Sequence, residues 1–468
     1  MDVAIIGAGT AGLSAHAAAR DHADSVLLIE GGPYGTTCAR VGCMPSKLLI
    51  AAADVRRRIE QAATFGIHVG SVSVNGAAVM QRVQSMRDDF VASVIDAVEA
   101  IPAEQRLRGM ARFEAPNRLR VGDVTVHAQR VVIATGSEPV LPDAFRGLDR
   151  VLTSDSVFEL ETLPESIAVI GGGAIGLELG QAFHSLGVRT RLFHRDATLG
   201  PRGDARITQV ATELLAASMP CELATEAQPV AHDASGIELE WRDATGQQRR
   251  EHFAYVLVAA GRRPRLEALQ LEHSGLSLDA RGVPHWDRAT ARCGNSGIYI
   301  AGDADADRPV LHAAADDGRL AGSNAGRHPD VRPIAQRTAL AIAFTEPQYA
   351  TVGASPAEFD AATVATGEVS FEKQGRSRVI GRAAGLGRLY AAREGGRLLG
   401  AQLVGPAAEH LAHLMAWVIE RGLTVDEILT LPFYHPVIEE GLRTALKDLR
   451  RELRNVPAAS CMDCGPGG

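Results

Sequence analysis

The chain has 468 residues, 46% of them hydrophobic and 22% charged, a balance that suits a globular protein of two to four domains. A formal net charge of -8 argues against nucleic acid or an anionic membrane as the main partner, and no apolar run is long enough to span a bilayer. Six cysteines in so long a chain make no disulfide scaffold, and the strand-like VAIIG at the start leaves no room for a signal peptide, so a cytoplasmic location is expected.

The first predicted unit is DVAIIGAGTAGLSAHAAARDHADSVLLIE: an apolar strand, a glycine turn, an alanine-rich helix and a second strand ending on Glu30. Gly7, Gly9 and Gly12 permit a tight turn and close backbone approach to a pyrophosphate at the helix N-terminus. Glu30 stands at the strand end, where a carboxylate accepts hydrogen bonds from a ribose diol. Next comes GTTCARVGCMPSK. The spacing of Cys38 and Cys43 lets one turn close a disulfide, and a helix opening there stabilises a thiolate. Zinc would need further ligands, and no second cysteine pair or Cys/His cluster lies nearby. The pair reads as a redox-active dithiol. Lysine occurs only at Lys47, Lys373 and Lys447 in an otherwise arginine-based chain, which singles out Lys47 beside the dithiol.

The glycine pattern returns in SIAVIGGGAIGLELGQAFHSLGVRTRLFHR, with Gly171, Gly173 and Gly176 matching Gly7, Gly9 and Gly12 without a gap. The same offset carries Glu30 onto His194. The ribose-binding acid is gone, and Arg189, Arg191, Arg195 and Arg202 surround the position. Such a cluster attracts a 2′-phosphate, so NADP(H) is favoured over NAD(H) as the nucleotide, with a merely solvated arginine face as the competing reading. The strand VLVAAG closes this unit at Gly261. Further on, alternating strands and the helical AEHLAHLMAWVIERGL precede a last helix, EEGLRTALKDLRRELRN, stopped by Pro457. Cys461 and Cys464 follow in SCMDCGPGG, open to reading as a soft-metal clip, a staple or a redox arm. Cys221 and Cys293 have no visible partner.

Taken together, these motifs resemble the FAD-dependent pyridine nucleotide–disulfide oxidoreductases, among them dihydrolipoamide dehydrogenase, glutathione reductase and mercuric reductase. The resemblance also rests on ATGSEP (Ala134 to Pro139), GIYIAGD (Gly297 to Asp303), FTEPQYATVG (Phe344 to Gly353) and YHPVIEEG (Tyr434 to Gly441), so it spans essentially the whole chain. It implies an α/β fold: two Rossmann-like dinucleotide-binding domains and a C-terminal α+β dimerisation domain. The expected organisation is an FAD domain at 1–150, an NAD(P) domain at 151–270, the second part of the FAD domain at 271–333, a dimerisation domain at 334–455 and a tail at 456–468.

The resemblance further implies that FAD is held by the first glycine turn, Glu30, Lys47, Gly136 and Asp303. NAD(P)(H) would be held by the second glycine turn, His194, Arg195 and Gly261. Cys43 would form the thiolate against the flavin and Cys38 would exchange with a small-molecule or protein dithiol or disulfide. Lys47 would pair with Glu178. His435, held by Glu440 rather than Glu439, would act as base on the other subunit of a homodimer. The expected activity is that of a dihydrolipoamide dehydrogenase, with mercuric or other metal-ion reduction and NADPH-dependent disulfide reduction as alternatives, and a non-catalytic flavoprotein as a remote one. Mercuric reductases place tyrosine where His435 stands, yet they carry a tail cysteine pair, a role that Cys461 and Cys464 would match as a relay.

Overall fold

The computed structural model describes residues 1–360 and 362–454; Cys461 and Cys464 lie outside the described residues. One sheet has the order Trp286–Asp287, Arg292–Cys293, Ile298–Ile300, Arg130–Ile133, Val3–Ile6, Val26–Glu30, Arg106–Arg108, with the last five strands parallel. Both faces of its central strands are covered, which is why VAII and VLLI read as unbroken apolar runs. Val3 and Ile5 pack towards the helices Thr10–Ala19 and Leu311–Arg327. Ala4 and Ile6 pack towards a small antiparallel sheet of Ala111–Ala115, Arg118–Val121 and Val124–His127.

The two helices on the first face meet backbone to backbone. A Cβ on Gly318 or Gly322 would lie 2.2 Å from the carbonyl oxygen of Ala11 or Ala15 respectively, and one on Gly326 would lie 2.9 Å from that of Ala19. Small residues recurring every four positions on both helices permit this approach. Gly322→Ala is therefore expected to destabilise the protein by about 2–3 kcal/mol through overpacking, read as a lowered denaturation midpoint.

A second sheet repeats the plan with the order Cys221–Leu223, Arg189–His194, Ser166–Ile170, Tyr255–Val258, Val151–Thr153, all parallel. Its helix Ala174–Ser185 packs on one face, and an antiparallel sheet of Gln228–Asp233, Gly236–Arg242 and Gln248–Phe253 on the other. The two units are stitched by an antiparallel pair, Ser137–Pro139 with Arg262–Pro264.

The C-terminal part is a five-stranded antiparallel sheet, Leu340–Ala343, Gln348–Gly353, Leu398–Gly405, Leu386–Ala392 and Val364–Ser370 in that order. Helices Ala408–Glu420 and Glu440–Leu453 cover it. No helix among the described residues is long and apolar enough to cross a membrane.

Candidate active site

Both glycine turns adopt the same geometry. Gly7 and Gly171 sit at φ +111 and +116, where L side chains are strained, and a Cβ on either would lie 2.3 Å from the carbonyl oxygen of Ala134 or Ala259. Gly9 and Gly173 face open space instead. The strand-end residues diverge in chemistry but not in place. The Glu30 carboxylate accepts the N–H groups of Ala8 at 2.7 Å and Gly32 at 2.6 Å. His194 Nδ1 accepts the N–H of Gly172, the position equivalent to Ala8, at 3.1 Å. That bond leaves the imidazole proton on Nε2, facing outward, and burial pushes its pKa below the ordinary histidine value.

The arginines expected around His194 divide into two groups. Arg189 pairs with Glu251, and Arg191 pairs with Glu251 at 3.0 Å and Glu222 at 2.7 Å. These two alternate to the side of the strand occupied by the antiparallel sheet, where they are held in ion pairs. Arg195 and Arg202 remain, both exposed beside Asp196.

Cys38 lies in the short helix Thr37–Val41, and Cys43 opens the helix Cys43–Gln61. Both are free thiols. Cys43 is pushed down to about 7, first by the hydrogen bond from the Cys38 thiol and then by the Lys47 ammonium, against the effect of burial. Cys38 is pushed up by the same hydrogen bond and by burial. The pair is asymmetric: one sulfur is prepared as a thiolate and the other holds its proton.

Lys47 Nζ lies 2.7 Å from Glu178 Oε2, and Glu178 Oε1 accepts the N–H of Phe344 at 2.8 Å. One buried carboxylate thus ties together the dithiol helix, the helix of the second glycine turn and the C-terminal part of the chain. Lys47 also lies over the Phe344 ring, 4.5 Å from its centroid. Glu178 makes the cation directional, which explains why a compact ammonium suits this site.

Asp303 accepts a hydrogen bond from Ser137 Oγ at 2.6 Å, and Arg262 donates to the same Ser137 Oγ from Nε at 2.9 Å. Arg262 also reaches the Ser137 carbonyl at 2.9 Å, Ser154 at 3.0 Å and Asp155 at 3.1 Å. Sequence reasoning gave Arg262 no role; its only signal was its place after Gly261, in the strand that joins the two units. Gly136 and Gly261 adopt φ +71 and +120 at the two ends of this junction.

A cavity of ≈ 600 Å³ runs from Gly9 past Gly136 and Asp303 to Cys38, Cys43 and Lys47. The residues fit FAD: a turn that a Cβ would block, an oriented carboxylate at the strand end, and an elongated cavity that ends at a dithiol. Among the described residues no cluster of three or more His, Cys, Asp or Glu suits a metal ion.

The remaining predicted pair lies apart. His435 Nδ1 is 3.0 and 3.1 Å from the two carboxylate oxygens of Glu440, which also accepts the N–H of Val437 at 3.2 Å. Since a carboxylate accepts, the imidazole proton sits on Nδ1 and the lone pair on Nε2 points away. Glu440 is buried while the His435 side chain is 59% exposed, so the imidazole is presented outward on a fixed support. Glu439 makes no such contact. Among the described residues, His435 is not in the lining of its own chain's dithiol cavity.

Comparison with known proteins places this arrangement. Residues 1–318 match the family model described as pyridine nucleotide-disulphide oxidoreductase, and residues 340–446 match the dimerisation domain of the same family. The chain belongs to the pyridine nucleotide-disulphide oxidoreductases. It is similar to the dihydrolipoyl dehydrogenase of Haloferax volcanii, at 30% identity over 96% of both chains. A mercuric reductase of Streptomyces lividans is 33% identical over 95% of both. The crystal structure of LpdA from Mycobacterium tuberculosis aligns with a TM-score of 0.81 and 25% identity, covering 95% of this chain and 98% of that one. As a pyridine nucleotide-disulphide oxidoreductase, the protein uses FAD and a pyridine nucleotide, and its dimerisation domain supports a homodimer.

Proposed function

We propose that the protein is a dihydrolipoamide dehydrogenase-like enzyme that passes two electrons between a dithiol and NAD(P), with NADP(H) preferred. The observation that carries this reading is the outward-facing His435 held by buried Glu440, a base suited to taking protons from thiols. The dihydrolipoyl dehydrogenase relatives support it along nearly the whole chain.

In this reading FAD is held by Gly7, Gly9, Gly12, Glu30, Gly136, Lys47 and Asp303; when bound, it supplies the conversion between hydride and thiol electron chemistry. The chain's own residues do the rest. His435 takes a proton from one substrate thiol, and the resulting thiolate attacks Cys38 of the Cys38–Cys43 disulfide. A substrate–Cys38 bond forms and Cys43 leaves as a thiolate, stabilised by Lys47. The second substrate thiol loses its proton to solvent and attacks the substrate's own bridging sulfur, closing its disulfide, while the His435 imidazolium returns its proton to the departing Cys38. Overall, a dithiol and NAD(P)⁺ become a disulfide, NAD(P)H and a proton.

The mercuric reductase relative supports a second reading, reduction of a soft metal ion. The deciding experiment is a steady-state panel of dihydrolipoamide, glutathione-type disulfides, thioredoxin-like proteins and Hg(II) with both nucleotides. The expected result is turnover with dihydrolipoamide and NADP⁺ above that with the other substrates. Preference for Hg(II) would replace the reading, and a clear preference for NAD⁺ would sink its nucleotide half.

A further inference from the structure

Resting on the NADP(H) reading above, the geometry points to Asp196 as an internal counter-ion that stands in the 2′-phosphate subsite and sets how strongly the enzyme prefers NADP(H) over NAD(H). Three basic side chains surround its carboxylate, one of them hydrogen-bonded to it. Arg202 pairs with it through Nη2, His194 Nε2 lies 3.6 Å away and Arg195 Nε lies 3.9 Å away. Because His194 Nδ1 accepts the Gly172 N–H, the proton on His194 Nε2 faces the carboxylate. The donor set is that of an anion cradle: two guanidinium forks and one imidazole N–H. The anion in it is the protein's own.

The backbone beneath these side chains is tied down. The Arg202 carbonyl accepts a hydrogen bond from Gln402 at 2.7 Å, and the N–H of Ala224 binds the Asp196 carbonyl at 3.0 Å. Asp204, two residues beyond Arg202, is buried and receives Arg388 at 2.6 Å and Tyr390 at 2.9 Å. The side chains of Arg195 and Arg202 are nevertheless 78% and 76% exposed, so they re-aim without moving the turn.

A 2′-phosphate entering here must take both arginines from Asp196 and then sit beside its negative charge. A nucleotide with a free 2′-hydroxyl faces neither demand. Asp196 therefore holds the arginines in place between turnovers and at the same time weakens NADP(H) selectively. Without it, the same cradle would discriminate more sharply.

The test uses the holoenzyme and two probes, adenosine 2′,5′-bisphosphate and AMP, with binding measured by calorimetry. Asp196→Asn is expected to raise the bisphosphate-over-AMP affinity ratio by about tenfold, the effect of one screened charge near a surface, and to shrink as salt rises. The kcat/KM ratio of NADPH to NADH should move the same way. Arg202→Ala serves as the opposite control and is expected to lower both ratios. If the wild type favours the bisphosphate and Arg202→Ala loses that preference while Asp196→Asn gains nothing, the counter-ion role is overturned and the NADP(H) reading stands. If the wild type shows no preference for the bisphosphate and neither variant changes it, both fall together.

Discussion

Cys38→Ala is expected to lower dithiol-dependent turnover by about 10³-fold or more and to shift the titration of its neighbour upward. The first effect follows from losing the sulfur that meets substrate in the proposed cycle. The second follows from the asymmetry of the pair. In the wild type the Cys43 thiol is pushed down to about 7, with the Cys38 hydrogen bond as the largest cause and Lys47 as a further stabilising one. A lowered thiol pKa means that Cys43 is a thiolate above about 7 and takes a proton as the pH falls below it. Removing Cys38 leaves Lys47 but takes away the larger support, so the midpoint rises towards the ordinary thiol value of about 8.5. Iodoacetamide labelling of the reduced protein across the neutral range, with Cys43 read by mass spectrometry, measures both midpoints. An unshifted midpoint in Cys38→Ala, or an ordinary one in the wild type, would show that Cys38 does not prepare its neighbour.

The same asymmetry explains why a base is needed at all. Cys38 is held as a thiol by the hydrogen bond it donates and by burial, so it takes up a proton when it leaves the substrate and the dithiol re-forms. Lys47 is engaged by Glu178 at 2.7 Å. In the reading proposed above that proton comes from His435, presented outward on the dimerisation domain.

What was legible in the sequence is what depends on local spacing. The glycine turns, the strand-end Glu30 and the His435–Glu440 pair each lie within one turn–helix segment, where residue order fixes geometry. The shift from Glu30 to His194 was legible too, because an ungapped repeat carries equivalent positions onto each other. What was hidden depends on long-range partners. Arg189 and Arg191 read from the sequence only as members of an arginine cluster; their partners Glu222 and Glu251 come from the neighbouring strand and the antiparallel sheet. Those strands are far along the chain, and strand alternation alone does not say which face a charge partner will cover. Arg262 was missed for a related reason: its bonds to Ser137, Ser154 and Asp155 exist only because two distant strands pair. Asp196 drew no attention because an acid among arginines reads as surface neutralisation, and its place between Arg202, His194 and Arg195 emerges only in the fold.

His435→Ala is expected to reduce dithiol turnover by about 10²–10⁴-fold, the usual contribution of a positioned general base. Glu440→Gln should cost less, about 10²-fold, since an amide keeps a hydrogen-bond acceptor for Nδ1 but cannot balance an imidazolium charge. Among the described residues the pair lies apart from its own chain's dithiol cavity. That separation makes a stronger prediction for the dimer. In a mixed dimer of one Cys38→Ser subunit and one His435→Ala subunit, a base acting across the interface leaves one site intact. The undamaged Cys38 of the second subunit then meets the undamaged His435 of the first. Such dimers, purified with two different affinity tags, are expected to keep about half of wild-type turnover, as twofold symmetry requires. A base acting within its own subunit would leave both sites dead, and the mixed dimer would be as inactive as either parent. The exposed imidazole of His435, backed by a buried carboxylate and absent from the lining of its own chain's dithiol cavity among the described residues, favours the first outcome.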